Sequence, residues 1–282
     1  MAPTQRHRWL TMPDSREALR QARLLDLAID QARADFASRH PSVSFGPVVA
    51  VMAAYEEEGN IGDVLEAMPE RIGDLEVSTL VVVDGGTDDT ARIAIESGVF
   101  TCVLPVNLGH GVALRLGYEL AISHGARYVV TLDADGQNDP GEMAIMVQPL
   151  LEGTADFVIA SRRLGTDQTT DRFRRAGVQL YASILNAIVK QNLTDSSNGY
   201  RAFRAEVVAD ILPHLKQDQY QTAEVVITAA SRGWRITEQP TVWHPRASGT
   251  SKKGGNLFFG LSYGRVILTS WYRVTLENRS RS

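Results

Sequence analysis

Cysteine is almost absent from this chain. Cys102 is its single thiol in 282 residues. That excludes an internal disulfide and any metal site built on several cysteines. Its neighbours in "FTCVLPV" are apolar, so it is expected as a small core residue. No stretch is apolar for long enough to cross a bilayer. The longest, "LFFGLSYGRVILTSWY" at 257–272, falls short of the roughly 20 residues a span needs and carries Arg265 in its middle. No apolar segment of the signal-peptide kind follows the basic start "MAPTQRHRWL". Excess positive charge is missing too: 29 Lys and Arg stand against 33 Asp and Glu, leaving no global electrostatic case for a nucleic-acid partner. A soluble, cytoplasmic protein is the expectation, with the 257–272 run able to lie peripherally on the inner face of a membrane. There is no internal repeat and no low-complexity tract.

Hydrophobic residues at 44% and charged residues at 22% suit a globular chain, and the length suits one large α/β domain or two small ones. Residues 14–39 predict a helix, with Asp14 or Ser15 as cap and His40-Pro41 as terminator. Leu25, Ala28, Ile29, Ala32 and Phe36 form its apolar stripe. The helix is expected to pack on the main body; a dimer contact and a membrane-surface helix are the other readings.

From residue 46 the pattern alternates. "PVVAVMAA", "STLVVVD", "FTCVLPV" and "RYVVTLD" read as strands, and "IGDVLEAMPERI", "TARIAIESG" and "GVALRLGYELAISHG" as helices. That order implies βαβ units and a mostly parallel sheet, in which ligands bind at the carboxyl ends of strands. Further on, "DFVIASR" reads as a strand and 174–191 as a helix. "DSSNGYRAFRAEVV" reads as turn, strand and helix, "TAEVVITAASRG" as a helix and "WRITEQPTVW" as extended. The predicted division is an N-terminal helical extension at 1–45, a main domain at 46–255 and a C-terminal amphipathic helical segment at 256–282.

Polar clusters sit at the strand ends. In "TLDADGQNDP" the carboxylates of Asp133 and Asp135 flank one residue, with Gln137 beside them. Oxygen-only ligands suit a hard cation such as Mg²⁺ or Mn²⁺, which can bridge to a diphosphate; the bland alternative is an acidic turn capping the next helix from Asp139-Pro140. In "VVVDGGTDDT", Asp84 could accept from a nucleobase N–H, while Asp88 or Asp89 caps the following helix. Tyr55 in "AAYEEEGNI" could stack on a base. The loop "HPRASGTSKK" places Arg246, Lys252 and Lys253 among small residues, as a lid over phosphates would.

These blocks, in this order, resemble the inverting family 2 glycosyltransferases of GT-A fold, close to the dolichol-phosphate mannosyltransferase and polyprenyl-phosphate glycosyltransferase branch. "AAYEEEGNI" is similar to "PAYNEEENI", "VVVDGGTDDT" to "VVDDGSTDGT", and "LDADGQNDP" to "MDADLQHPP". "NLGHGVALRLGYELA", "DSSNGYRAFR" and "HPRASGTSK" match three further family blocks. The resemblance covers roughly residues 46–253. It implies an α/β fold, a Rossmann-like, mostly parallel mixed sheet flanked by helices. It also implies metal-dependent, inverting transfer of a hexose from a nucleotide-sugar donor. GDP-mannose is favoured, with UDP-glucose and UDP-N-acetylglucosamine close behind.

By the same resemblance, Tyr55, Glu57 and Asp84 fall at the nucleoside, and Asp133, Asp135 and Gln137 at the Mg²⁺ or Mn²⁺ ion and diphosphate. Arg201 falls near the donor sugar and acceptor phosphate. Arg246, Ser251 and Lys252 fall on a loop that meets phosphate, and Glu224 at an acidic position near the acceptor, its role as a base left open. Asp135, Arg201 and Glu224 are thus the expected catalytic positions. Val83, His110, Gly136 and Asn198 depart from the family's usual residues. No transmembrane-helix pattern of the kind many relatives carry is found, so a soluble acceptor stands beside polyprenyl phosphate. A nucleotide-binding protein without catalysis is the reading from another class. The sequence leaves oligomer formation open.

Overall fold

The run VVAVMAA forms strand β1 (Val48–Ala54), and every residue of it is buried. A strand covered on both faces needs no polar alternation. Its side chains still alternate between two cores: Val49 and Val51 join one, while Val48, Ala50, Met52 and Ala54 join the other. The structure is a computed structural model and describes residues 15–168, 182–246 and 256–279.

After β1 come α2 (Ile61–Glu66), the two-residue β2 (Arg71–Ile72), β3 (Leu75–Val83), α3 (Thr90–Glu96) and β4 (Phe100–Val103). Next are α4 (His110–Ser123), β5 (Tyr128–Thr131), α5 (Met143–Leu151) and β6 (Phe157–Asp167), then a helix at 182–189 (α6). β7 (Arg201–Arg204), α7 (Ala205–Ile211), α8 (Gln221–Ser231), β8 (Ile236–Trp243) and α9 (Asn256–Arg279) complete the order, with α1 (Ser15–Arg39) preceding β1. The expected helix over "IGDVLEAMPERI" is shorter than the sequence suggests. It ends at Glu66, because Pro69 disfavours helical backbone in the residue before it and cannot donate to a continuing ladder.

The sheet order is β2-β3-β1-β5-β7-β6-β8, with β4 also paired to β3. β1, β3, β4 and β5 run parallel, as does β8 beside β6. β7 runs antiparallel between β5 and β6. One face of this mixed sheet is covered by α1, α4, α6, α7, α8 and α9, the other by α2, α3 and α5. α4 lies so close to the sheet that a Cβ at Gly117 would meet Val51 Cγ1 at 2.4 Å.

α1 packs through Ala32 and Phe36, both buried, while its Leu19, Leu24 and Leu27 are exposed. Arg33 donates to Glu119 at 2.6 Å and Arg39 to the Thr101 carbonyl at 2.7 Å. Cys102 is buried beneath α1 with its sulfur 3.6 Å from the Ala32 carbonyl, and burial pushes its thiol up to about 12.

Candidate active site

Strand register gathers the polar strand ends at one rim. Ala54 lies opposite Val83, and Val51 opposite Thr131, so the residues following β1, β3 and β5 meet there. β7 runs the other way and sets Arg201 opposite Thr131. Its first residue therefore reaches the rim that β5 reaches with its last. The resulting cleft has a volume of about 350 Å³, and Tyr55, Glu57, Asp84, Asp133, Asp135, Arg201 and Arg246 line it.

The acidic turn after β5 divides its work. Asp139 caps the next helical turn by accepting from the Gly141 amide at 2.8 Å, leaving Asp133 and Asp135 to face the cleft. Asp135 is 5% exposed, and its Oδ1 accepts from the Gln137 amide at 3.1 Å. Asp133 lies 3.7 Å from His110 Nε2. At the turn after β3, Asp88 does the capping: it accepts from the Thr90 amide and hydroxyl at 3.2 and 2.9 Å, while Asp89 pairs with Arg92.

Asp84 is 2% exposed, and its two oxygens accept from the amides of Leu108 and Gly109 at 2.7 and 2.9 Å. Burial raises its pKa, against those hydrogen bonds and His110. Carboxylate oxygens accept more than one bond, so Asp84 both fixes the turn ahead of α4 and lines the cleft. Gly109 makes that turn possible. It has φ 110°, and a Cβ there would meet the Asp218 carbonyl oxygen at 2.6 Å. Two residues that are not glycine also take left-handed backbone beside the cleft, Glu56 (φ 50°) and Tyr220 (φ 57°). Such strain persists where surrounding structure imposes it.

Arg246 arrives from β8. The bridge between Asn138 and Trp243, and the His244 amide on the Gln137 carbonyl at 2.9 Å, lay the end of β8 over the acidic turn. Arg246 Nη1 then donates to Glu57 Oε1 at 2.9 Å and Nη2 to Asp135 Oδ2 at 2.6 Å. Arg201, on the strand beside β5, is 2% exposed, and its nitrogens donate to the carbonyls of Asn198, Thr222 and Ser196 at 2.8, 2.9 and 2.8 Å. No carboxylate pairs with it among the described residues, and burial lowers its pKa. A buried guanidinium oriented by neutral carbonyls keeps its charge available to an anion.

Two expectations meet a different arrangement. Gln137 does not line the cleft: its amide nitrogen donates to the His244 carbonyl at 3.2 Å, so it ties the acidic turn to β8. Glu224 is fully buried and does not line the cleft either. Its oxygens accept from the Lys216 and Gln217 amides, both at 2.9 Å, and from Arg273 at 2.7 Å. A carboxylate engaged in this way anchors backbone. Ser251 and Lys252 lie outside the described residues.

The cleft also holds residues that sequence reasoning did not assign. Tyr118 from α4 and Tyr263 from α9 line it near Arg201. Burial pushes the Tyr118 phenol up to about 12 and raises that of Tyr263. Both sit in apolar helical runs, where no signal separates a cleft tyrosine from a core one. His110 was visible as the residue replacing a lysine in "NLGHG", and it stands at the first position of α4 beside Asp133.

The donor set fits a hard divalent cation. Asp133 and Asp135 offer oxygen ligands on the cleft wall, and Arg246 already marks a point at which positive charge is stabilised. Among the described residues no three acidic, histidine or cysteine side chains enclose an ion by themselves. One or two carboxylates completed by water and substrate phosphate is the common Mg²⁺ arrangement.

The family model described as Glycosyl transferase family 2 matches residues 49–212. A dolichyl-phosphate hexose transferase of Haloferax volcanii is 31% identical over 238 residues, covering 84% of this chain and 98% of that one. An undecaprenyl-phosphate mannosyltransferase of Micrococcus luteus is 28% identical over 241 residues, covering 79% and 93%. Among solved structures, glucosyl-3-phosphoglycerate synthase from Mycobacterium tuberculosis, in complex with Mn²⁺, uridine diphosphate and phosphoglyceric acid, superposes with a TM-score of 0.65 at 18% identity. It covers 84% of this chain and 82% of its own, and the likeness establishes the fold as GT-A. With the matched model spanning more than half of its residues, the chain belongs to glycosyl transferase family 2.

Proposed function

We propose that the protein transfers a hexose from a nucleotide-sugar to the phosphate of a polyprenyl phosphate, with a divalent cation and with inversion at the anomeric carbon. The observation that carries this reading is one cleft that brings an acidic turn and two arginines together. The Asp133–Asp135 turn and Arg246 line it with Arg201, whose guanidinium forms no ion pair among the described residues. The names of the Haloferax and Micrococcus relatives support the acceptor class. The Mn²⁺ and uridine diphosphate of the mycobacterial structure support the donor and cation classes.

In this reading Tyr55, Asp84 and Glu57 border the nucleoside, and Asp133 and Asp135 hold the cation. That cation would supply charge neutralisation of the departing diphosphate. Arg201 orients an incoming phosphate by charge-assisted hydrogen bonds. An acceptor oxygen bonds to the anomeric carbon as its bond to the diphosphate breaks, and the nucleoside diphosphate leaves with the electron pair. A phosphate acceptor is already ionised, so the step needs no general base. The contribution of the protein is positioning and electrostatic stabilisation.

No helix among the described residues is long and apolar enough to cross a membrane. α9 instead turns Leu268, Trp271, Tyr272 and Leu276 to solvent, 46–62% exposed, opposite the face that packs through Tyr263, Val266 and Ile267. Leucine with Trp and Tyr suits a lipid interface. The test pairs radiolabelled GDP-mannose or UDP-glucose with undecaprenyl phosphate in detergent and Mn²⁺, alongside sedimentation with liposomes. Label in the lipid phase and co-sedimentation are expected. Transfer only to soluble phosphates such as phosphoglycerate would replace the lipid acceptor with a soluble one.

A further inference from the structure

The acidic wall of the cleft is neutralised by a cation that belongs to the chain. Arg246 spans two carboxylates from different strand ends, with Glu57 at 2.9 and 3.1 Å and Asp135 at 2.6 Å. Side-chain exposures are 18%, 12% and 7% for Arg246, Glu57 and Asp135. Glu57 is itself held, accepting from Asn60 at 2.8 Å while its amide donates to Thr90 at 2.7 Å. Asp135 Oδ1 is engaged by the Gln137 amide, so Oδ2 is the oxygen that Arg246 takes. An ion such as Mg²⁺ needs a carboxylate oxygen at about 2.0–2.1 Å. A guanidinium fork and a metal cannot both use that oxygen from the same side.

We propose that Arg246 and the divalent cation are alternative occupants of the Asp135 carboxylate, so that Arg246 closes the donor site in the absence of nucleotide and is exchanged when metal and diphosphate enter together. This rests on reading Asp133 and Asp135 as the metal-holding pair. A metal ion entering alone must displace Arg246 Nη2 from Asp135 and leave a mostly buried guanidinium held by Glu57 but no longer by Asp135, which is unfavourable. A diphosphate entering with it supplies a new anionic partner for the released side chain. Metal and nucleotide therefore bind cooperatively, and the coupling is reciprocal by linkage. A resident counter-cation also prevents Glu57, Asp133 and Asp135 from repelling one another in the donor-free protein.

The experiment is Mn²⁺ binding followed by the electron paramagnetic resonance signal of the free ion, with and without UDP or GDP. Wild-type protein is expected to bind Mn²⁺ at least about tenfold more tightly with nucleotide. Arg246→Met removes the competitor. Its affinity for Mn²⁺ alone is expected to rise about tenfold, and its coupling to nucleotide to shrink. Arg246→Lys keeps the charge but loses the fork, and serves as the second variant if the methionine protein folds poorly; an intermediate rise is expected. Arg71→Met, which removes the same charge on β2, is expected to leave binding unchanged. Unchanged or weaker Mn²⁺ affinity in both Arg246 variants, with measurable binding to wild type, overturns the exchange and leaves the metal assignment standing. Equal gains in the Arg71 variant overturn it as a mere charge effect. No Mn²⁺ binding by any form, with or without nucleotide, removes the metal assignment and the exchange with it.

Discussion

Arg273 of α9 reaches inward and donates to Glu224 of α8 at 2.7 Å. The same carboxylate accepts from the Lys216 and Gln217 amides, so one buried group joins the C-terminal helix to the 216–220 segment. That segment borders the cleft through Gln219 and Tyr220. Glu224→Gln keeps the shape but turns an amide NH₂ towards a backbone N–H. The expected loss is about 1–3 kcal/mol of stability, the cost of a buried group left unsatisfied, read by urea melts, with kcat within about threefold of wild type. A general base would behave in the opposite way, with turnover falling about 10²–10⁴-fold and stability nearly intact.

Arg201 makes a different kind of contribution. Its three carbonyl acceptors come from Asn198, Ser196 and Thr222, and no carboxylate among the described residues forms an ion pair with it. Arg201→Met is expected to raise KM for the phosphate acceptor and lower kcat/KM about 10²–10³-fold, in line with the loss of one charge-assisted contact in a dry site. Three backbone carbonyls also lose their donor, so the thermal midpoint should fall by several degrees, and the kinetics are read well below both midpoints. Arg201→Lys is expected to recover little, because a single ammonium cannot reproduce a fork aimed at three carbonyls. Steady-state kinetics with acceptor varied at saturating donor would show it. A change confined to donor KM would move Arg201 to the other side of the reaction.

Acid stability should follow two surface-proximal pairs. Asp156 is held by Arg235 at 2.8 Å through both Nε and Nη2, and Asp210 by Arg232 in a bidentate pair together with Trp234 Nε1 at 2.8 Å. Each arginine partner lowers the pKa of its carboxyl. A group depressed in the folded state binds fewer protons there than when unfolded. Its stabilisation is present above the unfolded value, about 3.9, and is lost as pH falls through the folded one. Asp84 and Glu142, raised by burial, act in the opposite sense just above that window. The difference between proteins is therefore the readout. Asp156→Asn with Asp210→Asn should lower the thermal midpoint at pH 6 and flatten its decline below about pH 4. An unchanged acid slope would remove both pairs from the explanation.

The sequence showed the strand ends because burial forces it to. An apolar run such as VVAVMAA can stop only where the sheet stops, and the polar residue that follows must stand at the rim. Tyr55, Asp84 and Asp133 were legible for that reason. Arg201 was legible only through family resemblance. What brings it to the rim is the reversed direction of β7, which no local pattern records. The backbone contacts of Glu224 and Gln137 were not legible, because a carboxylate or amide in a matched block looks the same whether it faces a ligand or ties backbone together. The pairing of Arg246 with Glu57 spans 189 residues and depends on the 138–243 bridge. Charge alone suggested a phosphate contact and gave no sign of the internal ion pair.

The packing of the N-terminal helix can be read through the single thiol. Cys102 lies in β4, the strand that α1 covers, with its sulfur 3.6 Å from the Ala32 carbonyl and its pKa raised by burial to about 12. Only the thiolate reacts with disulfide reagents. At pH 8 the folded protein combines a negligible thiolate fraction with a blocked approach. Ellman's reagent should therefore label no thiol in the native protein and one per chain in urea. Phe36, 1% exposed, is the large side chain that seats α1, and its ring meets that of His40 at a tilt, 4.9 Å between centroids, and that of His124 edge-on at 6.1 Å. Phe36→Ala should cost about 3–5 kcal/mol of local packing. If α1 opens as a unit apart from the sheet, labelling should accelerate well before the global melt, while family 2 transferase activity at 20 °C persists. Labelling that waits for global unfolding in both proteins would make α1 an integral layer of the domain and end its description as an extension.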